Sequence, residues 1–213
     1  MNPSLYRHNI LLIFIFIFTI TLPAEILKSE SKDFSLRLGV GRSDFNNLGE
    51  ILIFDFDTYK GHTHVINLDT GLRFIENMGD LPFDWYLKGG LSYFDENGLQ
   101  DNFFEATLYV KVYYKLNYMD NRMRIGFGEG LSLASDVPII EIDEASIIDK
   151  EVAQFLNYLD ISFDFDLGRL LGIKSLNNLY LGYTVKHRSG VFGLFSGVTG
   201  GSNYQMFTIE KNF

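Results

Sequence analysis

The 213-residue chain has no cysteine, only four prolines and a single tryptophan. Without cysteine there is no disulfide framework and no cysteine-held structural zinc, so the fold must be held by other means. Bases are also in short supply. Lysine and arginine number 18 against 27 acidic residues, a formal net charge of −9. Nucleic-acid binding needs clustered Lys and Arg to neutralise phosphates, so this balance excludes nucleic acid as a partner. What is abundant is aromatic. Phe and Tyr account for most of an aromatic content of 15%, and both residue types favour strands and membrane interfaces.

The first residues differ from the rest. MNPSLYRHN carries Arg7 and His8, ILLIFIFIFTITLP is an unbroken apolar run, and Ala24 follows. A basic start, a short apolar run and a small residue are the parts of a secretory signal peptide. The run is short for a spanning helix, which needs about 20 residues. Residues 1–24 are therefore expected to be a cleaved signal peptide and residues 25–213 one domain; a retained N-terminal anchor is the competing reading.

From residue 34 onward, apolar residues recur at every second place. In 104–116, Phe104, Ala106, Leu108, Val110, Val112, Tyr114 and Leu116 share a face, opposite Glu105, Thr107, Lys111 and Lys115. In 158–167, Leu159, Ile161, Phe163, Phe165 and Leu167 oppose Asp160, Ser162, Asp164 and Asp166. A period of two is a strand signal. A soluble sandwich also alternates. Here, however, the strands approach the roughly 9–11 residues that cross a bilayer at a tilt. Their apolar faces are nearly free of charge, their polar faces carry both signs, and the chain ends on Phe213 in an alternating strand.

The fold class predicted is an all-β, antiparallel, eight-stranded up-and-down transmembrane barrel in the outer membrane. Alternation suggests strands near 34–42, 50–57, 64–76, 83–95, 102–116, 122–134, 157–168, 178–190 and 203–213. That is one more than an even-numbered barrel allows, and the excess is expected among the first two. With a periplasmic C-terminus, the 169–177 turn is periplasmic and the acidic 135–156 segment extracellular. Helical spacing is expected from Asp143 to Leu156, with Ile148, Val152, Phe155 and Leu156 on one side. Its acids are read as facing water, with divalent cations shared with lipopolysaccharide phosphates as the weaker idea.

Within LYLGYTVKHRSG, residues 179–190, the apolar series Leu179, Leu181, Tyr183, Val185 continues into His187 and Ser189. Both should lie on the outer wall near the extracellular end. A histidine in hydrocarbon is costly unless it is at the interface or has a partner. A histidine beside a serine is also the beginning of a nucleophilic site.

His187-Arg188-Ser189, late in a lipid-facing strand and one strand from the C-terminus, resembles the His-x-Ser motif of the PagL-type lipid A 3-O-deacylases. The resemblance is concentrated in residues 178–213. It implies an eight-stranded barrel and metal-free, cofactor-free ester hydrolysis of lipid A, with Ser189 as nucleophile and His187 as general base. The family's triad Glu lies ten residues before the C-terminus, where this chain has Asn203; an Asn can orient an imidazole without charging it. The family's Asn after the serine is replaced by Gly190, whose backbone N–H is the expected oxyanion donor. Val191, Phe192, Leu194 and Phe195 are the expected acyl groove, a flexible aromatic loop being the equal alternative. The partners implied are lipid A, or lipopolysaccharide, and the membrane, with a homodimer left open.

Other signals are fainter. His62 and His64 share a face but do not make a metal site. Gly126-Phe-Gly-Glu-Gly130 precedes no helix and so is no nucleotide loop; its glycines are expected to let the strand bend or bulge. Glu129 and Glu141 are candidate substitutes for the missing acid. The rival to an esterase is a non-catalytic barrel with a structural or adhesive role, because eight strands leave room only for side chains in the lumen.

Overall fold

The computed structural model describes residues 34–148 and 151–213; the expected signal peptide lies outside them. Eight antiparallel strands form a closed barrel in chain order. They are β1 (Phe34–Asp44), β2 (His64–Ile75), β3 (Phe83–Asp95), β4 (Phe103–Tyr118), β5 (Asn121–Ala134), β6 (Phe155–Asp166), β7 (Leu179–Ser189) and β8 (Gly201–Asn212). Strand β1 pairs with β2 on one side and with β8 on the other, from Ser35↔Asn212 to Asp44↔Asn203. Closure leaves no unpaired edge, which is what a sheet in hydrocarbon requires.

Of the nine alternating stretches, 50–57 is not a strand. Residues Leu48–Leu52 form a short helix, α1, in the β1–β2 connection. Its cause is local. The Asn47 side chain accepts from Glu50 N at 3.1 Å, and the Glu50 carboxylate accepts from Asn47 N at 2.9 Å. This reciprocal capping box satisfies two helix-terminal donors and overrides the alternation of Ile51, Ile53 and Asp55. A second helix, α2 (Ile139–Ile148), starts before the expected Asp143, directly after Pro138, whose carbonyl accepts from Glu141 N at 2.9 Å. Phe155 and Leu156, expected on its apolar side, instead open β6. Helix α3 (Leu167–Leu171) lies in the β6–β7 connection and ends on Gly172 at φ +70°, a left-handed cap that suits glycine.

The outer wall is apolar: Leu36, Leu38, Ile66, Leu87, Leu108, Phe127, Leu181 and Phe207 are all exposed. So wide an apolar band on a monomer fits lipid and not water, and supports an outer-membrane location. The lumen is the reverse, packed with paired charges in three tiers. In the middle tier, Arg37 Nε donates to Asp69 at 2.8 Å, and the same guanidinium also reaches Asp160 and the Tyr109 hydroxyl. Lys111 donates to Asp160 and to Ser162 Oγ. Nearer the end where β1 starts, Lys88 pairs with Glu210 at 2.6 Å, and Arg124 with Asp164 at 2.9 Å and Glu210 at 3.2 Å. At the far end, Lys186 pairs with Glu105, and Arg188 Nε lies 3.1 Å from Glu141.

The β5 glycines serve this packing and do not mark a bulge, since the β4–β5 register runs unbroken from Glu105↔Ala134 to Tyr118↔Asn121. Gly126 faces the lumen, where a Cβ would stand 2.4 Å from Ser162 Oγ and 2.5 Å from Lys111 Cε. A vestibule of about 530 Å³ opens at the end where Phe213 meets Phe34, lined by Arg124 and Tyr180 among others.

The two ends differ. Phe213 N donates to Phe34 O at 2.8 Å, placing the C-terminus beside the start of β1, and the 167–178 connection lies at this same end. The connections 45–63, 96–102, 135–154 and 190–200 are at the other. Short periplasmic turns and longer extracellular loops are the outer-membrane pattern.

Removing one member of the middle tier should be costly. Arg37→Met leaves Asp69 without its cation and Asp160 with only Lys111, and is expected to destabilise the barrel by about 3–5 kcal/mol. A lowered urea midpoint of the heat-modifiable band in detergent micelles would report it. The triple variant that also carries Asp69→Leu and Asp160→Leu should lose less than the sum of its parts.

Candidate functional site

The odd-numbered residues of β7 face outward and the even-numbered ones, Tyr180, Thr184, Lys186 and Arg188, are buried in the lumen. His187 and Ser189 are therefore on the outer wall, at the end away from Phe34 and Phe213. Cross-strand register sets His187 opposite Asn203, and Asn203 opposite Asp44. Three polar side chains thus stand in a row over β7, β8 and β1, at the end of the wall where Arg42, Gln205, Ser189 and Asn157 also have outward parity.

Hydrogen bonding fixes their roles. Asn203 Nδ2 donates to Asn46 O at 2.9 Å, so Asn203 Oδ1 is the atom presented to His187 Nδ1, 2.8 Å away. An amide oxygen only accepts, so Nδ1 carries the proton and the neutral ring keeps its lone pair on Nε2. Asp44 accepts from Asn46 N at 2.9 Å, from Asp57 N at 3.3 Å and from the Gln205 side chain. Asn46 and Asp57 belong to the β1–β2 connection, which folds back over the wall, and Gln205 is the outward neighbour on β8. Beneath it Asp44, Asn203 and the outward-facing Val185 are all buried, and Ile51 of α1 is buried within it. Phe56 of the same connection lies against Tyr183 of β7, ring centroids 6.5 Å apart.

The residues expected to hydrolyse an ester do not form a catalytic unit. Ser189 Oγ accepts from Val191 N at 3.1 Å, a serine turn that starts the β7–β8 loop. Among the described residues, no hydrogen bond joins it to the imidazole. The Gly190 N–H, expected to serve an oxyanion, donates to Gly200 O at 3.0 Å. Gly190 is itself enclosed, since a Cβ there would stand 1.9 Å from Val198 O. Among the described residues, neither Glu141 nor Glu129 takes the place of the missing acid. Glu141 lies inside, accepting from Ser202 Oγ at 2.6 Å and pairing with Arg188. Glu129 is on the outer wall but pairs with Leu159 of β6, which in turn pairs with His187, so it stands two strands away. Its carboxylate hydrogen-bonds Asn157.

The expected groove residues diverge. Phe192 is exposed, and Phe195 packs on Phe155 with ring centroids 5.8 Å apart. His64 opens β2 and His62 sits in the preceding connection. Among the described residues no group of three or more His, Cys, Asp or Glu could hold a metal ion. The esterase and lipid A deacylase reading is therefore corrected: a nucleophile engaged in its own loop, no acid behind the imidazole and an occupied N–H provide no acyl-transfer mechanism.

Sequence reasoning missed a second feature at this end, a set of side chains bridging different connections. The Tyr59 hydroxyl donates to Asp143. Glu96 Oε2 accepts from Ile139 N at 3.0 Å, at the start of α2. Gln100 Nε2 donates to Val137 O at 2.9 Å, and Asn97 Nδ2 to Gly61 O at 3.0 Å. These residues are scattered over three connections, and no local motif links them; the one readable signal was the Asn47–Glu50 capping box. Burial pushes the Glu96 carboxyl up to about 7, aided by the neighbouring charges of Glu141, Asp95 and Asp136 and opposed by the Ile139 N–H. Burial also raises Glu141, against the pull of Arg188.

No family model matches the chain, and no curated protein matches it either. Solved structures do. The outer-membrane enzyme PagL is 10% identical with a TM-score of 0.53, over 83% of this chain and 98% of that one. The Yersinia pestis outer-membrane protein Ail, in a phospholipid bilayer nanodisc, is 11% identical with a TM-score of 0.41, over 86% of this chain and 100% of that one. Ail in complex with the heparin analogue sucrose octasulfate is 11% identical with a TM-score of 0.37, over 86% and 99%. The likeness to PagL is one of fold, the eight-stranded barrel. Fold alone does not carry an activity, so this likeness does not restore the one that the site geometry lacks.

Two measurements follow from this geometry. Lipid A from cells making the wild type, Ser189→Ala or His187→Ala should give one mass spectrum, identical to that of an empty control. Stability should fall as pH rises from about 4.5 to about 7, because in that window folded Glu96 binds a proton that the unfolded chain has released; above it the curve should flatten. Glu96→Gln should lessen that slope and leave the part due to Glu141, read as urea midpoints between pH 4 and 8.

Proposed function

We propose that this chain is a non-catalytic outer-membrane barrel with a structural or adhesive role, working as a rigid base for the surface at its extracellular end. One observation carries the reading. The connections at that end are tied to one another and to the lumen by buried polar contacts, through Glu96 to Ile139, Tyr59 to Asp143 and Arg188 to Glu141. A braced surface loses little conformational freedom when it meets a partner, which favours binding. The lumen argues against transport, since its three tiers of paired charges occupy the space a solute would need. The longer connections at that end support its extracellular orientation.

The charge of that surface points to the kind of partner. Asp55, Asp57, Asp101 and Glu151 are exposed there, and the 190–200 connection carries no base. An adhesive contact would therefore be with a cationic surface, and would weaken with salt as screening sets in.

Protein in zwitterionic nanodiscs should be retained on immobilised oligolysine at low salt and not on a sulfated polysaccharide. Retention should drop in the variant carrying Asp55→Asn, Asp57→Asn, Asp101→Asn and Glu151→Gln. Equal retention of both proteins would remove the adhesive half of the reading. A steady unitary conductance in planar bilayers would remove the rest.

A further inference from the structure

The segment Leu52–Phe56 presents two faces of opposite character. On its inner side α1 buries Ile51 against the barrel, and the connection covers Val185, Asp44 and Asn203. On its outer side Ile53 and Phe54 are about three-quarters exposed, at 75% and 77%, and Leu52 and Phe56 are also exposed. Exposed aliphatic and aromatic side chains grouped in one short segment need a reason.

That apolar surface is continuous with the lipid-facing wall. Phe207 of β8 meets Tyr183 of β7 with ring centroids 6.1 Å apart, Tyr183 meets Phe56 at 6.5 Å, and Phe56 meets Phe54 edge-on at 6.2 Å. A line of aromatic rings thus runs from the transmembrane band, where Phe207 is 69% exposed, up to the tip of the connection. The tip conformation is fixed. Phe54 has φ +64°, a left-handed geometry unusual for a bulky residue. It is held by Ile53 N and Asp55 N donating to Glu50 O and by Phe54 N donating to Ile51 O, all at 3.0–3.1 Å. The residues that follow at its edge, Asp55 and Asp57, are exposed acids suited to the polar headgroup layer.

We propose that Leu52–Phe56 is a lateral wedge that seats Ile53 and Phe54 among the acyl chains of the outer leaflet, alongside β7 and β8. The occupant of this surface is lipid hydrocarbon, in continuity with the wall below. The seat also explains the polar row on that wall. Asn203 and Asp44 are buried under the connection through Asn46 and Asp57, and the outer side of the wedge supplies the apolar surface that the wall lacks at that corner. This depends on the outer-membrane location and not on the adhesive reading.

The absence of native cysteine and the single tryptophan make the test direct. In a Trp85→Phe background, Phe54→Trp introduces the only indole. In vesicles with lipids brominated along their acyl chains, its emission should be largely lost relative to unbrominated lipid, while aqueous iodide leaves it intact. Leu99→Trp, in the β3–β4 connection, provides the aqueous comparison and should show the opposite pattern. A nitroxide attached at Ile53→Cys should be relaxed more by oxygen than by a water-soluble nickel complex, giving a second reading if the indole variant fails to fold. Iodide quenching of the indole without bromine quenching, or greater nickel access at position 53, would overturn the wedge and leave the segment in water.

Discussion

Everything in this protein depends on the β1–β8 seam. A sheet in hydrocarbon cannot leave a row of N–H and C=O groups unpaired, and only closure provides for all of them. Once the sheet is closed, alternation has a fixed meaning: one set of side chains meets lipid and the other is confined in a narrow lumen. Eight strands enclose a space that side chains fill. Because those side chains are charged, they must be paired, which is why Arg37, Lys88, Lys111, Arg124, Lys186 and Arg188 each meet a carboxylate. The acidic excess of the chain is therefore displaced from the lumen, and part of it appears on the extracellular connections.

The outer wall obeys the complementary rule except toward the end that carries the longer connections. There the outward positions of β7, β8 and β1 include His187, Asn203 and Asp44, with Ser189, Gln205 and Arg42 beside them. The chain does not satisfy them with lipid headgroups alone. It folds the β1–β2 connection over them, with Asn46 bonding both Asn203 and Asp44. Outward parity, which in a barrel ordinarily means lipid contact, here means burial beneath a connection. The same roof that solves this solvation problem also draws the wall residues into internal hydrogen bonds. That is part of why a His-x-Ser pair in a suggestive position does not behave as a catalytic pair.

Much of the fold was legible in the sequence because its cause is local and periodic. The alternation of 104–116 and 158–167 repeats often enough to set strand identity and facing, and the odd-numbered count of stretches pointed to an error near the N-terminal end. That error had a readable remedy. Residues 50–57 alternate, but Asn47 and Glu50 are spaced as a capping box, and helix capping prevailed over a weak period. The site was less legible. Parity placed His187 and Ser189 on the wall correctly, yet what a serine does depends on where its hydroxyl turns, and Ser189 turns into its own loop through Val191. Likewise no sequence pattern reveals that Gly190 N–H is taken by Gly200, or that Glu96 reaches across to Ile139. These are contacts between connections, fixed only after the strands have assembled.

The position of the roof relative to the seam has one more consequence. Asp44 and Asn203 face each other only where the first strand meets the last, and the bonds from Asn203 to Asn46 and from Gln205 to Asp44 span that junction. In a sheet still open during insertion, those cross-seam partners lie at opposite margins, and the connection holds only its local bonds, such as those from Asn46 N and Asp57 N to Asp44. The bonds to β8 form only once the cylinder has zipped shut, which makes the connection a clasp across the seam.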